Sequence, residues 1–230
     1  MPDTNQTPMP ALVCFAVREE ARPFEKVMSS NPRVAVRIAV SGMGRRNARA
    51  MIDAELKTAR PALVLTCGYA GALHPDLASG QIVFDADPAF PDAPRFRELG
   101  GRAVRFLHSD TIVVRASDKA RLHTETGADA VEMESTIIRA ACREQGIPSA
   151  TVRVISDTAS QDMPLDFNAL MTPDMKISSL RLGVMILKSP RCIPALWAFG
   201  RETRKAAEAL GNFLARVIGG AEGIVNDEHG

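Results

Sequence analysis

A single α/β domain built on a mainly parallel sheet is what this 230-residue sequence predicts. Apolar, β-branched runs at residues 11–17, 34–40 and 62–66 alternate with helix-period stretches at 19–28 and 45–59, the pattern of strands flanked by helices. A strand, helix, strand unit follows at 128–133, 134–145 and 150–156, and a right-handed crossover there sets its two strands parallel in one sheet. The length suits one large core and leaves little room for a second domain.

The individual elements read as follows. Residues 1–10, rich in Pro, Thr, Asn and Gln, lack the basic start and apolar middle of a secretory leader and are expected to be a frayed tail. The domain is expected over 11–220, with a second tail at 221–230. Glu19 and Glu20 open the first helix, where acidic residues are favoured. Short strands are expected at 81–85, 104–107 and 111–114. Between them, 86–101 carries Pro88, Pro91 and Pro94 and reads as a loop, with the character of a flap. In the helix 134–145, Ile137, Ile138, Ala141 and Cys142 form one apolar stripe, and Gly146 and Pro148 close it. Residues 176–188 are apolar with basic punctuation, Ser189-Pro190 interrupts them, and 195–218 reads as one long amphipathic helix weakened at Gly200.

Composition narrows the function classes. A net charge of +1 and 5% aromatic residues give no electrostatic or stacking case for nucleic acid, so a small-molecule ligand is the better expectation. Cys14, Cys67, Cys142 and Cys192 are far apart, as are His74, His108, His123 and His229, which indicates free thiols and neither a zinc site nor a Cys-His nucleophile. No stretch offers the roughly 20 apolar residues of a membrane span. A cytoplasmic protein without metal or organic cofactor is the expectation.

Two acids stand out. Glu134 and Asp157 lie 23 positions apart, each where a strand-like run gives way to polar residues. Carboxyl ends of strands in an open α/β sheet border the ligand crevice, so both are candidates for chemistry. On spacing alone, Ser156-Asp157-Thr158 is equally a helix cap and Glu134 equally a first-turn glutamate.

The runs Val131-Glu132-Met133-Glu134-Ser135 and Val152-Arg153-Val154-Ile155-Ser156-Asp157-Thr158-Ala159 resemble the paired signature of the nucleoside phosphorylase and nucleosidase family. Ala16-Val17-Arg18-Glu19-Glu20, Ser41-Gly42-Met43-Gly44 and Thr66-Cys67-Gly68-Tyr69-Ala70-Gly71 fit the family's order, so the resemblance spans about residues 11 to 170. The pattern is most similar to methylthioadenosine/S-adenosylhomocysteine nucleosidases, with a tail like that of hopanoid-associated phosphorylases. The resemblance implies a central mixed, partly barrel-like sheet flanked by helices, a homo-oligomer, and cleavage of an N-glycosidic bond in an adenosine-type nucleoside.

That cleavage passes through a ribosyl cation-like state and needs a proton donor for the departing base, acceptors for the sugar hydroxyls and a placed nucleophile. Burial favours the neutral form of a carboxyl group, which suits Asp157 to donate toward a purine N7. Glu134 suits the ribose hydroxyls. Resemblance alone assigns Glu20 to the attacking water and Met133 to the face under the sugar. Glu132, Tyr69 and Phe167 are further candidates for substrate contact; for Met133 and Phe167, plain core filling is the competing reading.

Water against phosphate stays open. Phosphorylases of this family carry an Arg and a small hydroxyl residue where this chain has Thr66 and Tyr69, which favours hydrolysis. Against that, Gly42-Met43-Gly44-Arg45-Arg46 opens a helix, and Gly44 and Arg45 are the phosphate candidates. Tyr69 also departs from the small Ser of the nucleosidases, and an inactive nucleoside-binding protein is a third reading. The segment around Arg181 to Arg191 reads as an interfacial, lipid-grazing element, a lid, or a packing surface between subunits.

Overall fold

A computed structural model describes residues 10–31, 34–188 and 190–220. The tails expected at 1–10 and 221–230 lie, except for Pro10, outside the described residues. The strands are β1 (Ala11–Phe15), β2 (Val36–Val40), β3 (Val64–Ala72), β4 (Ile82–Ala86), β5 (Arg102–Ala103), β6 (Phe106–His108), β7 (Ala130–Glu132) and β8 (Ser149–Asp157). The helices are α1 (Arg18–Ser29), α2 (Arg45–Thr58), α3 (Ala93–Glu98), α4 (Ala116–Thr126), α5 (Ser135–Glu144), α6 (Phe167–Leu170), α7 (Ser179–Lys188) and α8 (Ile193–Gly220).

The strands form one mixed sheet in the order β2-β1-β3-β8-β4-β5, with β7 joined to β3 and β6 to β7. The pairs β1–β2, β1–β3 and β3–β8 are parallel, whereas β4 runs antiparallel to β8. Strand β3 explains the branching. At nine residues it outruns β1, which pairs with it only from Val64 to Cys67, and β7 runs antiparallel beside its far end at Gly71 and Ala72. The expected parallel arrangement of β7 and β8 is therefore corrected: β8 is parallel to β3 and β7 is antiparallel to it.

The two-residue period of β1 sorts its side chains between two cores. Val13 and Phe15 join Leu65, Val152 and Val154 beneath Phe24 and Met28 of α1 and Leu210, Phe213 and Leu214 of α8. Leu12 and Cys14 face the other way, with Val64, against Ala48 and Ile52 of α2 and Ile138, Ala141 and Cys142 of α5. Helices thus cover both faces of the sheet. Gly211 allows α8 to lie against α1, since a β-carbon there would sit 2.8 Å from the backbone nitrogen of Phe24.

Three local expectations change. Residues 86–101 contain α3 and are pinned to the core: Phe90 and Phe96 are buried, and Phe96 packs edge-on to Phe84 at 5.0 Å. This segment is an anchored cover rather than a flap. Residues 111–114 are not a strand, because their backbone groups are met elsewhere. Ile112 exchanges hydrogen bonds with the Asn168 side chain, and Val114 accepts from the Met163 N–H. Helix α4, which the apolar pattern does not announce, has Lys119 as its buried residue and ends at Gly127 in the left-handed conformation.

Gly211→Ala is expected to destabilise the protein by about 1–3 kcal/mol, because the added methyl overpacks the α1–α8 contact. Urea unfolding of the wild type and variant measures it; an unchanged midpoint would refute this account of the contact.

Candidate active site

The site is organised around Arg153, a guanidinium buried in the middle of β8. Its two terminal nitrogens donate to the Cys67 carbonyl at 3.0 Å, the Thr66 hydroxyl at 3.3 Å and Glu132 Oε2 at 2.7 Å. Glu134 Oε2 stands 3.6 Å from the same guanidinium. On the other side, the groups meet Glu20 over Gly68. A β-carbon on Gly68, whose φ is +144°, would lie 2.6 Å from Glu20 Oε1 and 2.7 Å from an Arg153 nitrogen. Only glycine fits there. Three glutamates from α1, β7 and the start of α5 therefore surround one buried cation.

Each glutamate is held differently. Glu20 Oε2 accepts from the Ala16 and Val17 N–H groups, both at 3.1 Å, and Oε1 accepts from the Tyr69 N–H at 2.9 Å. Three of its roughly four acceptor positions are filled, which leaves one for a ligand. Glu132 Oε2 accepts from the Glu134 and Ser135 N–H groups at 2.9 and 2.7 Å, so this residue caps α5 while steadying Arg153. Glu134 Oε1 accepts from the Gly44 N–H at 2.9 Å, at the N-terminus of α2.

Their electrostatics diverge accordingly. Burial pushes Glu134 up to about 7, with the neighbouring Glu132 and Glu20 adding to the rise against the pull of Arg153. Burial also acts upward on Glu132, but Arg153, His108 and the Ser135 hydrogen bonds outweigh it and bring it to about 2. Burial raises Glu20 as well. His108, whose Nδ1 is 3.8 Å from Glu132 Oε1, is raised chiefly by Glu132.

Asp157 sits at the end of β8 in an adjoining cluster. The β3–β8 register slips between Ala70 and Gly71, so that Ile155 faces Ala70 and Asp157 faces Gly71 with Ser156 as the extra residue. Bulges of this kind re-aim side chains. Asp157 Oδ2 is ion-paired with Lys119, and Oδ1 accepts from the Ser156 hydroxyl at 2.5 Å. Lys119 is fully buried and also donates to the Thr158 and Gln161 carbonyls at 2.9 and 2.8 Å. Among the described residues, no hydrogen bond or ion pair joins Asp157 to the three glutamates.

The other candidates are placed as follows. Met133 is half-buried between Glu132 and Glu134. The Tyr69 ring packs on the core, and its hydroxyl donates to the Thr203 carbonyl of α8 at 3.0 Å, so its backbone N–H is the part that reaches the site. Phe167 is half-buried and stacks obliquely on Phe199, with 5.8 Å between ring centres. Gly44 is buried and its N–H is committed to Glu134; Arg45 is exposed and lies 3.4 Å from Asp110. A cavity of about 670 Å³ is lined by Ser109, Thr111, Ile112, Val114, Met163 and Leu165 among others. Glu20, Glu134 and Asp157 do not line it, whereas Asp162 to Asp166, a few residues beyond Asp157 in the chain, do.

Residues 102–181 match the family model of the Phosphorylase superfamily. Futalosine hydrolase of Helicobacter pylori superposes on the chain with a TM-score of 0.65 at 17% identity, covering 92% of this chain and 98% of that one. The chain has the nucleoside phosphorylase and nucleosidase fold. A 5′-methylthioadenosine/S-adenosylhomocysteine nucleosidase of Helicobacter pylori, an Asp-to-Asn variant with 5′-methylthioadenosine in its active site, matches at TM-score 0.66 and 17% identity over 93% of this chain and 99% of that one. The corresponding nucleosidase from Colwellia psychrerythraea, in complex with adenine, matches at 0.64 and 17% over 93% and 96%.

Sequence reasoning missed Arg153 and Lys119 as site residues. Arg153 had a signal: it is the lone charge inside the apolar run 150–156. Lys119 had none, since an isolated lysine in a helix reads as surface.

The raised Glu134 couples stability to pH. The folded protein holds a proton there up to about pH 7 that the unfolded chain releases near 4.5. The associated stability is full below about pH 4.5 and is lost as pH rises through about 7. Glu134→Gln is expected to flatten that slope in urea titrations run from pH 4 to 8; an unchanged slope contradicts the assignment.

Proposed function

We propose that the protein is a purine nucleosidase that cleaves the N-glycosidic bond of an adenosine-type nucleoside with water as nucleophile. In this reaction the bond between the sugar C1′ and the purine N9 breaks, its electron pair leaves with the base, a water oxygen bonds to C1′, and the proton that this water sheds passes to the Glu20 carboxylate. Asp157 delivers a proton to the purine N7. Glu134, as the carboxylate, accepts hydrogen bonds from the ribose hydroxyls and offsets positive charge on the sugar as the bond opens. Glu20 holds the attacking water through its remaining acceptor position, with the Tyr69 N–H keeping it in place. Met133 lies under the sugar and Phe167 borders the ligand. Glu132 acts through Arg153.

One observation carries the choice of water over phosphate. The Gly44 amide and the Arg153 guanidinium, the groups an anion needs, are occupied by Glu134 and Glu132. Once Glu134 ionises, it and Glu132 outweigh the charge of Arg153 and oppose phosphate entry. The relatives named above as nucleosidases and a hydrolase agree with this choice.

The test is adenine release from a panel of 5′-substituted adenosines, with and without phosphate. Release without phosphate is expected, and Asp157→Asn is expected to lower kcat by about 10²–10⁴-fold. Activity should climb as pH rises through about 7, where Glu134 ionises. Strict dependence on phosphate, with a ribose 1-phosphate product, would replace this reading by phosphorolysis, including that of an adenosylated lipid. Binding without turnover under either nucleophile would mark a nucleoside-binding protein.

A second proposal concerns the C-terminal surface. Leu180, Leu187 and Trp197 are 79, 83 and 79% exposed on α7 and α8, beside half-exposed Val184 and Ile193. Between Asp174 and Glu202 the chain carries Lys176, Arg181, Lys188, Arg191 and Arg201 and no acidic residue. Exposed apolar side chains in a stretch whose charges are all positive suit an anionic lipid surface better than a second copy, whose like charges would oppose them. No helix among the described residues is long and apolar enough to cross a membrane. Co-sedimentation with phosphatidylglycerol vesicles, weakened by salt and by Leu187→Glu with Trp197→Glu, is the expected result. If the double variant instead splits a dimer in size-exclusion chromatography, the surface is a subunit interface.

A further inference from the structure

Lys119 is a fully buried cation beside Asp157 to which the proposed reaction assigns no role. It reaches from the middle of α4, a helix with no other buried residue among those described, and spends its ammonium on three acceptors: Asp157 Oδ2, the Thr158 carbonyl and the Gln161 carbonyl. Three protons for three partners leave it fully satisfied and immobile. It is also the cation that the described ion pairs give Asp157.

The other carboxylate oxygen has a different kind of neighbour. Ser156 Oγ lies 2.5 Å from Asp157 Oδ1 and 3.3 Å from the Ala70 carbonyl. A hydroxyl carries one proton and can also accept. When Asp157 is a carboxylate, Ser156 donates to Oδ1. When Oδ1 carries a proton, Ser156 can accept it in a hydrogen bond and turn its own proton to Ala70. The Oδ1 edge therefore accommodates both states, whereas the Oδ2 edge, facing an ammonium, accommodates only the unprotonated oxygen.

We propose that Lys119 is a positioning residue for Asp157: it clamps Oδ2 and so confines proton exchange with the leaving base to Oδ1. This rests on the reading of Asp157 as proton donor. The step it serves is balanced. The O–H bond at Oδ1 breaks, an N–H bond forms on the purine, the C1′–N9 pair passes to the base, and Asp157 returns to the carboxylate that Lys119 and Ser156 hold. The same ammonium ties down the 158–161 turn, which leads into the wall of the neighbouring cavity at Asp162 and Met163.

The experiment uses the intact chain and two variants, Lys119→Met and Lys119→Gln. The first removes every donor and, by stranding a buried carboxylate, can prevent folding. Lys119→Gln keeps an amide donor for the turn carbonyls while removing the charge, and circular dichroism confirms which variants fold. Each is assayed on an adenosine-type nucleoside and on the 4-nitrophenyl riboside of the same sugar, whose leaving group departs without a proton.

For Lys119→Gln, kcat for adenine release is expected to fall by about 10²-fold or more with KM near the wild-type value, while nitrophenolate release is largely kept. Equal losses on both substrates, a change confined to KM, or wild-type turnover of adenine substrates would overturn the proposal. If the wild type releases adenine but not nitrophenolate, the split between kcat and KM decides. A wild type that turns over neither substrate defeats the nucleosidase reading itself, and the role of Lys119 with it.

Discussion

One guanidinium, Arg153, sets the terms for everything around it. A buried cation is tolerated only where anions and carbonyls replace the water it has lost. Here the replacements come from four separate stretches: Glu20 from α1, Thr66 and Cys67 from β3, Glu132 from β7 and Glu134 from the start of α5. Because the acceptors come from four different elements, the ion cluster and the sheet order specify one another. Gly68 follows from the same demand, since any side chain there would occupy the space in which Glu20 and Arg153 approach.

The cluster also divides labour among chemically identical side chains. Glu132 is drawn toward the charged form by its close contact with Arg153 against the effect of burial, while for Glu134, farther from the cation, burial prevails, helped by the two other acids. Distance to a single positive centre, 2.7 Å against 3.6 Å, separates a structural carboxylate from one free to respond to a ligand. Glu134 gains a further constraint from the Gly44 amide, which fixes it at the mouth of α2.

Much of this was legible in the residues. The alternation of apolar runs located β1, β2, β3, β4 and β8 and the helices α1, α2, α5 and α8, because these elements send apolar side chains into the cores. Glu20, Glu132 and Glu134 were singled out and do converge on one place. What escaped had no periodic signature. Helix α4 buries a lysine rather than an apolar face, α3 hides among prolines, and β7 pairs antiparallel because of how far β3 extends, a fact of length rather than of pattern. Ion pairs across sequence gaps, such as Lys119 with Asp157, leave no trace in local spacing.

Tyr69 touches two distant parts of the molecule at once. Its amide donates to Glu20 and its phenol to the Thr203 carbonyl, at the point along α8 where exposed residues give way to buried Ala206 and Ala207. The residue behaves as a rigid strut between the outlying half of that helix and the ion cluster. A tilt that carries Thr203 outward must either break the phenolic bond or drag the amide that holds the Glu20 carboxylate.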